Sequence, residues 1–185
     1  MIPTAWTRRA FIGASLAATS TLLPSWRGRA AAAASGAAPG RLALYNVHTR
    51  EAVTVVYRDA TGVYNTEGID RLNRVLRCHH TGEVAPIDLR VVEFLKAVEQ
   101  ALGGDREIHV ISGFRSAAYN AWLVRHGSGV SPHSLHLVGR AIDVRFPSAR
   151  LAEVHRTALD LRGGGVGYYP ASDFIHLDSG RIRSW

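Results

Sequence analysis

The first 37 residues cannot supply a layer of the fold, and that limits what the rest of the chain can build. They begin with a basic pair, Arg8-Arg9, followed by the apolar run AFIGASLAATSTLL and then the small-residue stretch AAAAASGAA. A charged start, an apolar middle and a small-residue site fit for A-x-A cleavage are the marks of a segment removed on export. The run is short and rich in alanine, serine and threonine, below the roughly 20 strongly apolar residues of a comfortable membrane span. Residues 38–185 are left to make one domain, with no stable membrane span once the leader is gone.

The leader also changes the charge argument. It carries Arg8, Arg9, Arg27 and Arg29 and no acidic residue, so removing it takes the formal net charge from +7 to +3. A mildly basic remainder suits an anionic cell wall, and without an arginine-rich arm it gives no case for nucleic acid. Thr7-Arg8-Arg9-Ala10-Phe11-Ile12 resembles the twin-arginine export signal, which implies a folded cargo and a bacterial periplasm. The single cysteine, Cys78, excludes an internal disulfide and a thiolate zinc cluster. Its neighbours His79 and His80 leave two readings, a Cys-His site or a buried cysteine beside two interfacial histidines.

The remainder reads as α+β: a small antiparallel sheet with flanking helices. LALYNVHT (42–49) and AVTVVYRD (52–59) alternate as a hairpin. Helical spacing marks 68–77, 88–102, 116–127 and 148–161, with Asp88 as an N-cap and Gly103-Gly104 as a stop. IHVISG (108–113) and AIDVRF (141–146) read as strands, GGGVGYY (163–169) as a mobile glycine-rich bend, and DFIHLDSG with RIRSW as a closing hairpin.

A carboxylate inside a strand stands out. AIDVRF turns Ile142 and Val144 to one face and Asp143 to the other, and FIHLD sets His176 between apolar neighbours in the same way. SPHSLHLVGRAID adds His136, seven residues before Asp143. Two imidazoles and a carboxylate from separate segments make three ligands and leave a fourth position for water, the pattern of catalytic zinc. A satisfied polar pair beneath a loop is the competing reading, and the stronger HEXXH pattern is absent.

SLHLVGRAIDV (134–144) resembles the S-x-H-x-x-G-x-A-x-D signature of the zinc D,D-peptidase clan, the LAS metallopeptidases. SGFRSAAYN (112–120) resembles its S-G-[YF]-R-[ST] segment, and GGVGYYPASDFIHLDSGRIRSW (164–185) the closing block of the YcbK/MepK-type branch. The resemblance runs from Leu42 to Trp185 and implies the LAS/hedgehog-like zinc peptidase fold. It implies one Zn2+ per chain on His136, Asp143 and His176, and it implies that Arg115 holds a substrate carbonyl and its developing oxyanion. Ser134 would contact substrate or cap the local turn, and Tyr168 or Tyr169 would floor the cleft.

The general base would be Asp173, in D-x-x-H where dipeptidase-type members carry E-x-x-H. Asp178 is the rival, or else a carboxylate orienting His176. Phe174 stands where some members have a second histidine. His133 reads as cleft rim or surface, and His48, His109, His126 and His155 as structural. The function implied is a monomeric murein endopeptidase cutting stem-peptide cross-links, by the MepK-type match those between two diaminopimelates. A D,D-carboxypeptidase and a catalytically inactive peptidoglycan-binding module are the alternatives.

Overall fold

A computed structural model describes residues 38–127 and 129–185; the expected leader over 1–37 lies outside them. Two strands open the domain, β1 (Gly40–Asn46) and β2 (Glu51–Arg58), paired antiparallel. Their turn is fixed locally: the Asn46 side-chain oxygen accepts from the backbone N–H groups of His48 and Thr49, and Arg50 takes a left-handed φ of 60°.

Helices α1 (Thr66–Val75) and α2 (Leu89–Ala101) follow, capped by the side chains of Asn65 and Asp88. They carry the chain across to β3 (Glu107–Ser112), which lies parallel to β1. Next come α3 (Ala117–Arg125), capped by Ser116, and β4 (Ala141–Arg145), then α4 (Leu151–Leu161), β5 (Gly165–Tyr169), β6 (Phe174–Asp178) and β7 (Arg183–Ser184).

The seven strands form one sheet in the order β2-β1-β3-β4-β6-β5-β7. It is larger than the small antiparallel sheet expected, and it is mixed, because β1–β3 and β5–β7 run parallel. The α1–α2 crossover makes the first parallel pair possible. The closing hairpin is also absent, for β6 already has β4 and β5 on its two edges. The terminal strand therefore adds to β5.

The glycine-rich stretch expected as a mobile bend is β5 itself. A Cβ on Gly165 would collide with the Arg183 and Asp178 side chains, and one on Gly167 with the Trp185 indole. Glycine here admits close side-chain packing rather than motion.

One face of the sheet, with Leu42, Leu44, Val110, Ile142, Val144, Ile175 and Leu177, packs with α2 and α4 through Val91, Leu95, Val98, Val154 and Ala158. Each such fully buried side chain contributes on the order of 2 kcal/mol. Period-two alternation sends Asp143, His176 and Asp178 to the opposite face, where a rigid core backs them.

Candidate metal centre and cleft

Register brings the first two polar groups together: Asp143 on β4 sits directly across from His176 on β6. His136 arrives from a one-turn 3-10 helix over Leu135–Val138, which Ser134 caps through its hydroxyl and Gly139 ends at φ 65°. Carbonyl Pro86 occupies the space a Cβ at Gly139 would need, so only glycine turns the chain here into β4. Ser134 thus acts as the local cap, although its side chain also lines the cleft.

His136 Nε2 lies 3.2 Å from His176 Nδ1 and 3.2 Å from Asp143 Oδ1, and His176 Nδ1 lies 2.8 Å from Asp143 Oδ1. A tetrahedral ion with bonds of about 2.0–2.1 Å sets its ligand atoms roughly 3.3–3.4 Å apart, so little adjustment is needed. The outer nitrogens decide the tautomers. His136 Nδ1 is 2.7 Å from the Gly113 carbonyl, which only accepts, and His176 Nε2 is 3.0 Å from Asp178 Oδ2. Each outer nitrogen therefore donates, and the inner nitrogens are left to present lone pairs to the same point as the Asp143 oxygen. Three converging donors, all buried, are what a cation requires. Among the described residues no other group of three histidine, cysteine or acidic side chains converges in this way.

Asp178 is fully buried and saturated. Besides His176 it accepts from the backbone N–H groups of Gly165 and Gly180, and from Arg183 at 2.6 and 3.0 Å. It stands behind the His176 ring, on the side away from Nδ1. The geometry is that of a carboxylate orienting a ligand. Asp178→Asn is expected to weaken metal binding about 10–100-fold, read by competition with a chromophoric chelator, while the far-ultraviolet spectrum is unchanged.

Charge balance at the site is tight. Burial works to lower the His176 pKa, but hydrogen bonds to Asp143 and Asp178 outweigh it and push the value up to about 9. Burial likewise works to raise Asp143, yet His136 and then His176 hold its carboxyl well below the usual range. In the metal-free protein a proton on His176 thus takes the place of positive charge that a metal would bring. Metal must displace that proton below pH 9, so affinity is expected to rise up to about tenfold per pH unit towards 9 and then level off. Chelator competition at several pH values reads this directly; a flat profile between pH 7 and 9 would contradict it.

The triad lies at the base of an open cleft of about 520 Å³. Arg115 lines it at 7 % exposure, its guanidinium 3.8 Å from Asp143 and donating to Asn120 Oδ1 and Ser112 Oγ, while its buried Nε has no partner among the described residues. The backbone N–H of Arg115 donates to the His136 carbonyl, tying the two motifs together. The opposite wall is aromatic. Tyr169 stacks on Phe174, its hydroxyl accepts from Trp185 Nε1, and the Arg183 guanidinium lies over the Trp185 ring.

Two expected residues fall elsewhere. Tyr168 does not line the cleft; it stacks on His155 against the helix side. On β5 the positions paired with His176 and Phe174 are Gly167 and Tyr169, so parity puts Tyr169 on the site face and Tyr168 on the other. Asp173 has a left-handed φ of 53°, a side chain 66 % exposed and Arg145 3.6 Å away, and it is not among the cleft residues. Trp185 and Arg183 escaped the sequence reading; the glycines opposite them on β5, at alternate positions, were the available signal.

Cys78 is buried beside Ser116, with His79 stacked on His48 and His80 on Tyr119, the interfacial arrangement rather than a Cys-His site. His126 stacks on Trp122, and His109 pairs with Glu107.

The chain is similar to known proteins over most of its length. Residues 34–185 match the family described as peptidoglycan L,D-endopeptidase MepK. The peptidoglycan L,D-endopeptidase MepK of Escherichia coli K12 is 35% identical over 147 residues, 80% of each chain. The probable peptidoglycan L,D-endopeptidase MepK of Haemophilus influenzae is 36% identical over 148 residues, 80% of this chain and 79% of its own. With matches of that extent, the chain belongs to the peptidoglycan L,D-endopeptidase MepK family.

Proposed function

We propose that this protein is a zinc-dependent murein endopeptidase that hydrolyses amide bonds in peptidoglycan cross-links. The observation that carries the reading is the convergence of His136, Asp143 and His176 at the base of a cleft that Arg115 also lines. The names of the relatives support peptidoglycan as the substrate and an L,D bond as the one cut; the bond between two diaminopimelate residues is our reading of that L,D bond.

Two nitrogens, one carboxylate oxygen and no thiolate fit zinc with an open position, where it would supply Lewis acidity and lower the pKa of bound water. The chain's residues do the rest. Asp178 and the Gly113 carbonyl hold the two imidazoles in register. Arg115, which lines the cleft, donates to the substrate carbonyl oxygen as negative charge builds on it. Tyr169, Phe174 and Trp185 form the wall against which the aliphatic part of a stem peptide lies. Export of residues 38–185 to the periplasm by a twin-arginine leader over 1–37 belongs to the same proposal. Among the described residues no helix is long and apolar enough to cross a membrane.

The test uses two purified muropeptide dimers, one joined by a diaminopimelate–diaminopimelate bond and one by a D-alanine–diaminopimelate bond. Cleavage of the first alone is expected. Cleavage of the second alone would reassign the bond, release of D-alanine from intact dimers would mark a carboxypeptidase, and retention on sacculi without hydrolysis an inactive binding module.

A further inference from the structure

We propose that His133 is the proton-transfer residue of this site. The inference rests on the hydrolytic reading above and deepens it, because that reading requires a group to take a proton from water and neither aspartate considered for the task lines the cleft.

Among the described residues that line it, few groups are able to accept a proton. Arg115 and Arg183 stay charged at any working pH. His136, Asp143 and His176 turn their inner atoms towards one another at the metal position, where they would be taken up by the ion. Tyr169 is a phenol whose oxygen already accepts from Trp185. His133 is the one remaining titratable side chain on the wall, and imidazole is the side chain that exchanges protons near neutral pH.

Its placement suits the role. His133 is exposed to solvent while lining the cleft. Its backbone N–H donates to Ser131 Oγ at 3.1 Å, and Asn120 Nδ2 donates to the Ser131 carbonyl, so the loop is tied to α3 next to Arg115. One residue on, Ser134 caps the turn that presents His136. The histidine is therefore held three residues from a ligand, between a tie to α3 through Ser131 and the capped turn of His136.

The step balances without a further reagent. His133 accepts one O–H proton of the attacking water as the water oxygen bonds to the amide carbonyl carbon. It then donates that proton to the amide nitrogen as the C–N bond breaks. The products are a carboxylic acid and an amine, and the imidazole returns to its starting state.

His133→Ala and His133→Gln, made in the full domain and loaded with zinc, test this against cross-linked muropeptides. The expected result is a fall in kcat of about 100-fold or more with KM and zinc content unchanged, and partial recovery of the alanine variant on adding free imidazole. Variants that keep their rate within threefold of the unaltered protein would overturn the assignment, as would a loss confined to KM or accompanied by loss of zinc. If the unaltered zinc-loaded protein hydrolyses no muropeptide, the hydrolytic reading falls and this inference with it. An active parent with an unaffected variant sinks the inference alone.

Discussion

Replacing His136 by alanine is expected to remove bound metal and to cut muropeptide hydrolysis by at least about a thousandfold. The argument is local. His136 is 2 % exposed and supplies one of the three converging donors found among the described residues, so its loss leaves a two-ligand site open on one side. Lewis acid stabilisation of several kcal/mol then disappears, and each 1.36 kcal/mol is a factor of ten in rate. The substitution also orphans the Gly113 carbonyl, at a cost of about 1–3 kcal/mol to stability. His136→Gln, which fills more of the space and still reaches for that carbonyl, separates the two effects. Metal content should be lost in both variants, whereas the melting temperature of the metal-free protein should fall more for alanine. Stoichiometric zinc in either variant would show that His136 is not a ligand.

The second large effect is expected at Arg115. Arg115→Ala should lower kcat by about 10²–10³-fold while zinc remains bound, because the guanidinium acts on charge that develops only as the carbonyl is attacked. Its distance of 3.8 Å from Asp143 makes it a neighbour of the ligand set and not a member of it. Arg115→Lys should recover only part of the rate: lysine keeps the charge but not the planar fork shared among Ser112, Asn120 and substrate. A loss seen chiefly in KM would mean ordinary substrate binding, and a loss of zinc would mean that Arg115 supports the ligands.

What was legible in the sequence was what local physics decides. The β1–β2 hairpin, the Asp88 cap and the stop at Gly103-Gly104 follow from propensity and turn chemistry within a few residues, and each stands where expected. The two strands carrying Asp143 and His176 were readable because a polar side chain in an apolar alternation has to face away from the core. What failed was non-local. The β5 strand hides behind glycines that exist for Arg183 and Trp185, residues eighteen positions further along in each case. Telling Tyr168 from Tyr169 turned on a single register step, and register is a property of the pair β5–β6, not of either strand. Asp173 matched a motif position, yet a left-handed turn sends it towards Arg145 and solvent. His133, read from its proline-flanked loop as cleft rim or surface, is exposed and lines the cleft.

The central claim is that three ligands from β4, β6 and one short turn hold a metal that this chain uses to cut murein. The most direct measurement takes the purified protein stripped with a chelator, returns one equivalent of zinc, and follows cross-linked dimers in digests of intact sacculi. The account predicts no loss of dimers before zinc is returned and conversion to monomers afterwards, with one zinc bound per chain. Dimer cleavage that persists in the stripped, metal-free protein would contradict it, and so would stoichiometric zinc with no cleavage at all.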